Sequence, residues 1–218
     1  MSNLMEIVFV LDRSASMTGS ESDVINGFNR MIQDQLEHEQ KALVTTVLFD
    51  TSMYRLHDRV PLEQVSRLTS SDYVPGGFTA LLDALGETIK RIKIAHRYAR
   101  KEDTPTKTLV VVMTDGEENS SRHYSNQKIR DLVKRQEEKY HWEFMFIGAD
   151  IDAFASASNL GIRAKRAVPF SKDEDSFEDC LEAVSRYSLR MASMDMCEEE
   201  VYDAEFDDIF SAFRKKKK

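Results

Sequence analysis

Proline and glycine are scarce in this chain of 218 residues, four and eight respectively, so no long linker or low-complexity stretch divides it. Cysteine is scarcer still. Cys180 and Cys197 are too few for a disulfide framework and read as two reduced thiols. No apolar run approaches the roughly 18 residues of a membrane helix. The N-terminus has no basic region and only a short apolar run before Asp12, which is not the pattern of a signal peptide. These absences lead to the expectation of a cytoplasmic protein with no membrane contact. A surplus of positive charge is also missing. The net charge of −8 excludes a general nucleic-acid binder and leaves proteins, metals and small ligands as partners. The histidines, His38, His57, His96, His123 and His141, are scattered without metal-ligand spacing, which speaks against a zinc centre. Neither a phosphate-cradling glycine loop nor a Gly-x-Ser-x-Gly elbow is present.

What the chain does have is alternation of buried strands and amphipathic helices. A hydrophobic content of 41% supports one sizeable core. Ile7 to Leu11 form an uninterrupted apolar run, the mark of a strand covered on both faces. Ile25, Phe28, Ile32 and Leu36 place a helix over about 21–38, and Ala42 to Phe49 a second strand. Met53 to Val60 follows too soon for a crossover, so it is expected as an antiparallel edge strand, protected by Arg55, His57, Asp58 and Arg59. A helix over about 80–99, a strand over 108–114, a helix near 125–139, a strand from Trp142 to Ile147 and a short helix near 152–159 continue the series. Ala164 to Phe170 is expected as the last strand. Ser171 and Glu174 form a capping box for a helix carrying Phe177, Leu181, Val184, Tyr187, Met191 and Met194. The pattern is that of an α/β fold, a doubly wound, mostly parallel sheet with helices on both faces and right-handed crossovers.

Chemistry concentrates where strands end. The first buried run stops at Asp12 and is followed by Ser14 and Ser16, so one carboxylate and two hydroxyls share a tight turn. Leu109 to Thr114 repeats the arrangement and stops at Asp115-Gly116. Between them, Pro75-Gly76-Gly77-Phe78 leads to Thr79 at the start of a helix. Ligands of open α/β sheets bind beyond the carboxyl ends of such strands. Oxygen-only donors select Mg²⁺, Mn²⁺ or Ca²⁺ over zinc or copper. Each hydroxyl alone reads as a helix cap or a turn.

Asp12, Ser14, Ser16, Thr79 and Asp115, in this order and with these flanks, resemble the metal-ion-dependent adhesion site of the von Willebrand factor type A family. The resemblance covers roughly residues 4–195. It implies six strands in the order 3-2-1-4-5-6, with the first and fourth adjacent at the switch point. It also implies that Ser14 and Ser16 ligate the cation directly, that Thr79 does so in one conformation, and that Asp12 and Asp115 reach it mainly through water. Neutral hydroxyls would leave the cation demanding an anion, which a partner protein's carboxylate would supply. Cytoplasmic members of bacterial or phage type, including those resembling tellurite-resistance proteins, act as adaptors or scaffolds beside an ATPase, kinase or phosphatase. A binding protein rather than an enzyme is therefore expected. The alternative is a metal-dependent phosphatase or hydrolase using the same aspartates, but a haloacid-dehalogenase-like enzyme needs a second aspartate where this chain has Ser14.

Around that cluster, Glu117, Glu118 and Asn119 read as a solvated loop at its rim, Asp150 as the cap of the next helix, and Arg13 as an exposed residue able to clamp a partner carboxylate. The main domain is expected over residues 1–196. Residues 197–218 change character, acidic at Glu198-Glu199-Glu200 and Asp207-Asp208, then basic at Arg214 to Lys218. Within them Phe206, Ile209, Phe210 and Phe213 fall on one helical stripe. That stripe reads either as a helix docked on the body or as a partner-binding motif that fills a groove.

Overall fold

The period-two alternation along β1 (Met5–Asp12) decides the architecture. Ile7, Phe9 and Leu11 face one hydrophobic cluster, while Val8 and Val10 face another. β4 (Lys107–Thr114) repeats this, with Leu109, Val111 and Met113 in the first cluster and Val110 and Val112 in the second. A sheet apolar on both faces must be covered on both, and helices do so. The computed structural model describes residues 4–149, 153–170, 177–194 and 199–215. In it α1 (Glu21–Glu37), α5 (Phe177–Ser193) and α6 (Glu199–Lys215) pack on one face, and α2 (Leu81–Tyr98), α3 (Asn126–Tyr140) and α4 (Ala153–Leu160) on the other.

β2 (Ala42–Phe49), β3 (Met53–Pro61), β5 (Trp142–Ala149) and β6 (Ala167–Phe170) complete a six-stranded sheet in the order β3-β2-β1-β4-β5-β6. All neighbours run parallel except β2 and β3. β1 and β4 pair in register from Met5–Lys107 to Leu11–Met113, so Asp12 and Thr114 emerge side by side at the same sheet edge. The order and the antiparallel edge agree with the sequence reading.

Three local expectations meet a different outcome or fall outside the described residues. Ala164–Arg166 form a 3-10 turn rather than strand, and only Ala167–Phe170 pair in the sheet. The turn puts the Arg166 guanidinium inside the protein, fully buried. There it pairs with Glu143 on β5 and, at 2.8 Å, with Asp203 on α6, and lies 4.7 Å from the Phe206 ring centroid. The Ser171–Glu174 capping box lies outside the described residues. At the far end of α5 the Lys107 ammonium, 6% exposed, donates to the carbonyls of Met191 and Ala192 at 2.5 and 3.3 Å, and to that of Met194. This terminates the helix with a cation where its dipole favours one.

The aromatic stripe of the tail is core. Phe206 and Phe210 are fully buried and Phe213 is 9% exposed, with Ile209 packed beside them. The Phe206 ring meets Tyr187 of α5 edge-on at 5.2 Å and stacks on Phe210 at 4.4 Å. The partner-binding reading of Phe206, Ile209, Phe210 and Phe213 is therefore corrected. The face that would have to enter a partner's groove is already covered by this chain's own α5 and β6. Cys180 is fully buried in α5; Cys197 lies outside the described residues.

Candidate metal centre

Asp12 ends β1 fully buried, and its neighbours fix it from both sides. One carboxylate oxygen accepts the Ser14 amide at 2.6 Å and the other the Thr114 hydroxyl at 2.5 Å. The first bond is an Asx-type turn that reverses the chain after the strand. Burial holds the Asp12 carboxyl above its ordinary value, opposed by the bonds from Thr114 and Ser14. The Asp12 carbonyl accepts the Tyr73 hydroxyl. Burial, with the charges of Asp12 and Asp115 nearby, raises the Tyr73 pKa and keeps that phenol protonated as a donor.

The turn sets Ser14 and Ser16 with their hydroxyl oxygens 3.0 Å apart. Ser16 then donates to the Asp115 carboxylate at 2.6 Å, joining the loop after β1 to the loop after β4. Thr79 arrives from a third segment. Its amide donates to the Asn119 side chain at 2.9 Å, and its carbonyl accepts the amides of Asn119 and Ser120 at 3.1 and 3.2 Å. A Cβ built on Gly116 would stand 3.0 Å from both the Ser16 and Thr79 hydroxyl oxygens and 3.6 Å from that of Ser14. The three hydroxyls thus converge on one small space that only glycine leaves open. The structure brings together all five residues singled out in the sequence. Among the described residues no cluster of three or more His, Cys, Asp or Glu could hold a metal elsewhere. The donor set is hard oxygen throughout, with hydroxyls outnumbering carboxylates, and it suits a small hard cation.

The loop that delivers Thr79 is fixed along its length. The Gly76 amide donates to the Arg13 carbonyl at 2.9 Å and the Ala15 amide to the Gly77 carbonyl at 3.3 Å. Gly77 has φ +70°, and a Cβ there would meet the Thr51 hydroxyl oxygen at 2.7 Å, so both conformation and contact require glycine. The Thr51 hydroxyl accepts the Phe78 amide at 2.8 Å, and the Asp50 carbonyl accepts that of Ala80 at 2.9 Å.

Sequence reasoning misjudged two groups here. Arg13 is not an open clamp. Its guanidinium donates to the Asp50 carboxylate at 3.1 Å and the Asp72 carbonyl at 3.2 Å, leaving the side chain 20% exposed. Glu118 and Asn119 are a fastening rather than a solvated rim. Glu118 accepts the Leu82 amide at the start of α2 at 2.9 Å, the amides of Ser120 and Ser121 at 2.9 and 2.7 Å, and the Ser121 hydroxyl at 2.7 Å. Asp83, in the first turn of α2, returns the favour by accepting the amides of Arg122, His123 and Tyr124. The available signal was Glu118 itself, a carboxylate able to serve the orphan amides of a helix that begins with alanine and leucine. Asp150 lies outside the described residues.

The model of the von Willebrand factor type A domain matches residues 6–183. No curated protein matches the sequence. Among solved structures, the vWF domain of the type V pili tip protein Mfa5 from Porphyromonas gingivalis is similar with a TM-score of 0.63 at 11% identity, over 89% of this chain and 98% of that one. Proximal thread matrix protein 1 from the mussel byssus is similar with a TM-score of 0.55 at 17% identity, over 87% of this chain and 46% of that one. The chain thus spans under half the length of the mussel protein. A further structure of that mussel protein, described as having a zinc-occupied MIDAS motif, is similar with a TM-score of 0.53 at 17% identity, over 83% of this chain and 44% of that one. At these identities the likeness is one of fold.

Proposed function

The chain belongs to the von Willebrand factor type A domain family, and from that premise we propose that it is a divalent-metal-dependent protein-binding domain, an adaptor or scaffold rather than an enzyme. Ser14 and Ser16 serve as direct ligands, Thr79 as the third hydroxyl, and Asp12 and Asp115 act mainly through water. The observation that carries the reading is the convergence of the three hydroxyl oxygens on the space beside Gly116. A divalent cation held there supplies a Lewis-acidic position, incompletely neutralised by hydroxyl ligands, that takes up a carboxylate from a partner protein.

The chain's own residues prepare that position. Ser16 is oriented by Asp115, Ser14 by the turn that Asp12 closes, and Thr79 by Asn119. Mg²⁺ or Mn²⁺ is the proposed ion, because an incomplete cage of small hard donors suits a cation that retains waters; Ca²⁺ seeks more oxygens. The mussel protein's zinc-occupied motif supports a metal at this place in the fold. Cytoplasmic residence, supported by a cysteine content too low for a disulfide framework, belongs to the same proposal, as does a partner associated with an ATPase, kinase or phosphatase. The two carboxylate oxygens of Asp12 each already accept a hydrogen bond, which supports a structural and water-mediated role over that of a nucleophile.

Calorimetric titration with Mn²⁺ tests the proposal. One saturable site is expected in the wild type and none in Ser14→Ala/Ser16→Ala at unchanged circular dichroism. Equal binding by both proteins would place the metal elsewhere.

A further inference from the structure

Two features flank Thr79 and belong to no fold requirement. Phe78, immediately before it, is 66% exposed, and Val74 on the same loop is 58% exposed. The loop cannot relax to hide them, because the bonds from Arg13, Thr51 and Asp50 hold its backbone. A rigid loop that holds a phenylalanine in water next to a polar site has the character of an interface anchor, preorganised and already desolvation-prone.

On the other side of Thr79, Ala80 begins the floor of a cleft of about 380 Å³. Ala80 and Ala84 keep it open by being small, and half-exposed Met53 forms a wall. Its volume is at the low end of ligand pockets, room for one large side chain rather than a free cofactor. Its carboxylates are already met. Asp83 accepts three backbone amides, while Glu87 accepts the Tyr124 hydroxyl at 2.8 Å and pairs with Lys90 at 3.4 Å. Thr51, Ser52, Ser120, Arg122 and His123 line the rest of it. The aliphatic surface of Met53, Ala80 and Ala84 beside the Arg122 side chain suits an aromatic ring.

We propose that exposed Phe78 and the neighbouring cleft of Met53, Ala80 and Ala84 receive the partner segment whose carboxylate reaches the hydroxyl cluster, and that they select an acidic residue with an aromatic residue close to it in sequence. In an extended segment side chains two residues apart share a face at a separation of about 7 Å. One side chain can therefore sit at Thr79 while its neighbour enters the cleft that Ala80 begins. The inference rests on the carboxylate-binding reading above and adds the identity of the flanking residue.

Fluorescence polarisation of labelled pentapeptides with a central glutamate, in Mn²⁺ and with the full chain, tests it. One peptide carries glycine at every other position, and the others carry a single tyrosine or a single lysine at each position in turn. At one position tyrosine is expected to tighten binding about tenfold over glycine, the scale of burying one large side chain. In Phe78→Ser/Met53→Ser that advantage should fall below about twofold. Equal Mn²⁺-dependent binding of tyrosine and glycine peptides would overturn this inference and leave the carboxylate reading standing. A lysine preference, or a tyrosine advantage that survives the double substitution, would also overturn it. Absence of Mn²⁺-dependent binding to every peptide would overturn both.

Discussion

Ser16 donates its hydroxyl to Asp115 across 2.6 Å, although the two are 99 positions apart in the chain. The bond exists because β1 and β4 are neighbours in register, so the loops leaving them share one edge of the sheet. It turns two separate strand ends into one site and aims a hydroxyl at the space beside Gly116.

Gly116→Ala is expected to fill that space. Its Cβ would stand 3.0 Å from the Ser16 and Thr79 hydroxyl oxygens, tight enough to displace one of them. Mn²⁺ affinity should fall at least about tenfold, that is by about 1.4 kcal/mol, with little loss of thermal stability, since the position has no positive φ. Calorimetric titration beside a melting curve separates the two effects.

Glu118→Ala should loosen the same site from behind. The carboxylate serves three backbone amides and a hydroxyl across the loop after β4 and the start of α2. Hydrogen bonds to a charged group contribute about 1.5–3 kcal/mol each when isolated, and water replaces part of that loss at a half-exposed position. A destabilisation of about 1–3 kcal/mol, faster amide exchange at Leu82, Ser120 and Ser121, and weaker Mn²⁺ binding are expected together. Unchanged exchange at those amides would show that the clamp is unimportant.

The packing of the tail helix predicts a cost in the core rather than in recognition. Phe206→Ala empties a fully buried site between Tyr187, Phe210 and Arg166. A loss of about 3–5 kcal/mol is expected in chemical denaturation. A change below about 0.5 kcal/mol, typical of surface substitutions, would mean that α6 is not part of the folded body.

The same helix gives the protein an acid sensitivity. Desolvation acts to raise the Asp203 pKa, but its bond to Lys165 and the charge of Arg166 outweigh this and hold it below the ordinary value of 3.8. A carboxyl depressed in the folded state contributes stability above its unfolded value, and that contribution is lost as the pH falls through the folded value. Asp203→Asn should therefore be less stable than wild type at pH 6. The difference should shrink as the pH drops below 3.8. A stability difference independent of pH would assign the effect to packing.

Legibility in the sequence followed the range of the interaction. The strands ending at Asp12 and Asp115 were readable because burial on both faces writes itself as continuous apolar runs. The site was readable because its donors sit at those strand ends. Ala164–Arg166 misled because it runs straight into the apolar stretch Ala167–Phe170; the burial of Arg166 between Glu143 and Asp203, residues far off in the chain, accompanies the turn. The stripe of Phe206 to Phe213 identified an apolar face but not what covers it, since periodicity reports direction only. Arg13 and Glu118 were misjudged for a related reason. Their partners, Asp50 and the start of α2, are set by tertiary proximity and leave no local pattern.

The most direct test of the metal reading is anomalous diffraction from crystals of the wild-type protein soaked in Mn²⁺. The account predicts one strong anomalous peak within ligating distance, about 2.0–2.3 Å, of the Ser14 and Ser16 hydroxyl oxygens, on the side that Gly116 leaves open. A strong peak elsewhere with none among Ser14, Ser16 and Thr79, or none at saturating Mn²⁺, would contradict it.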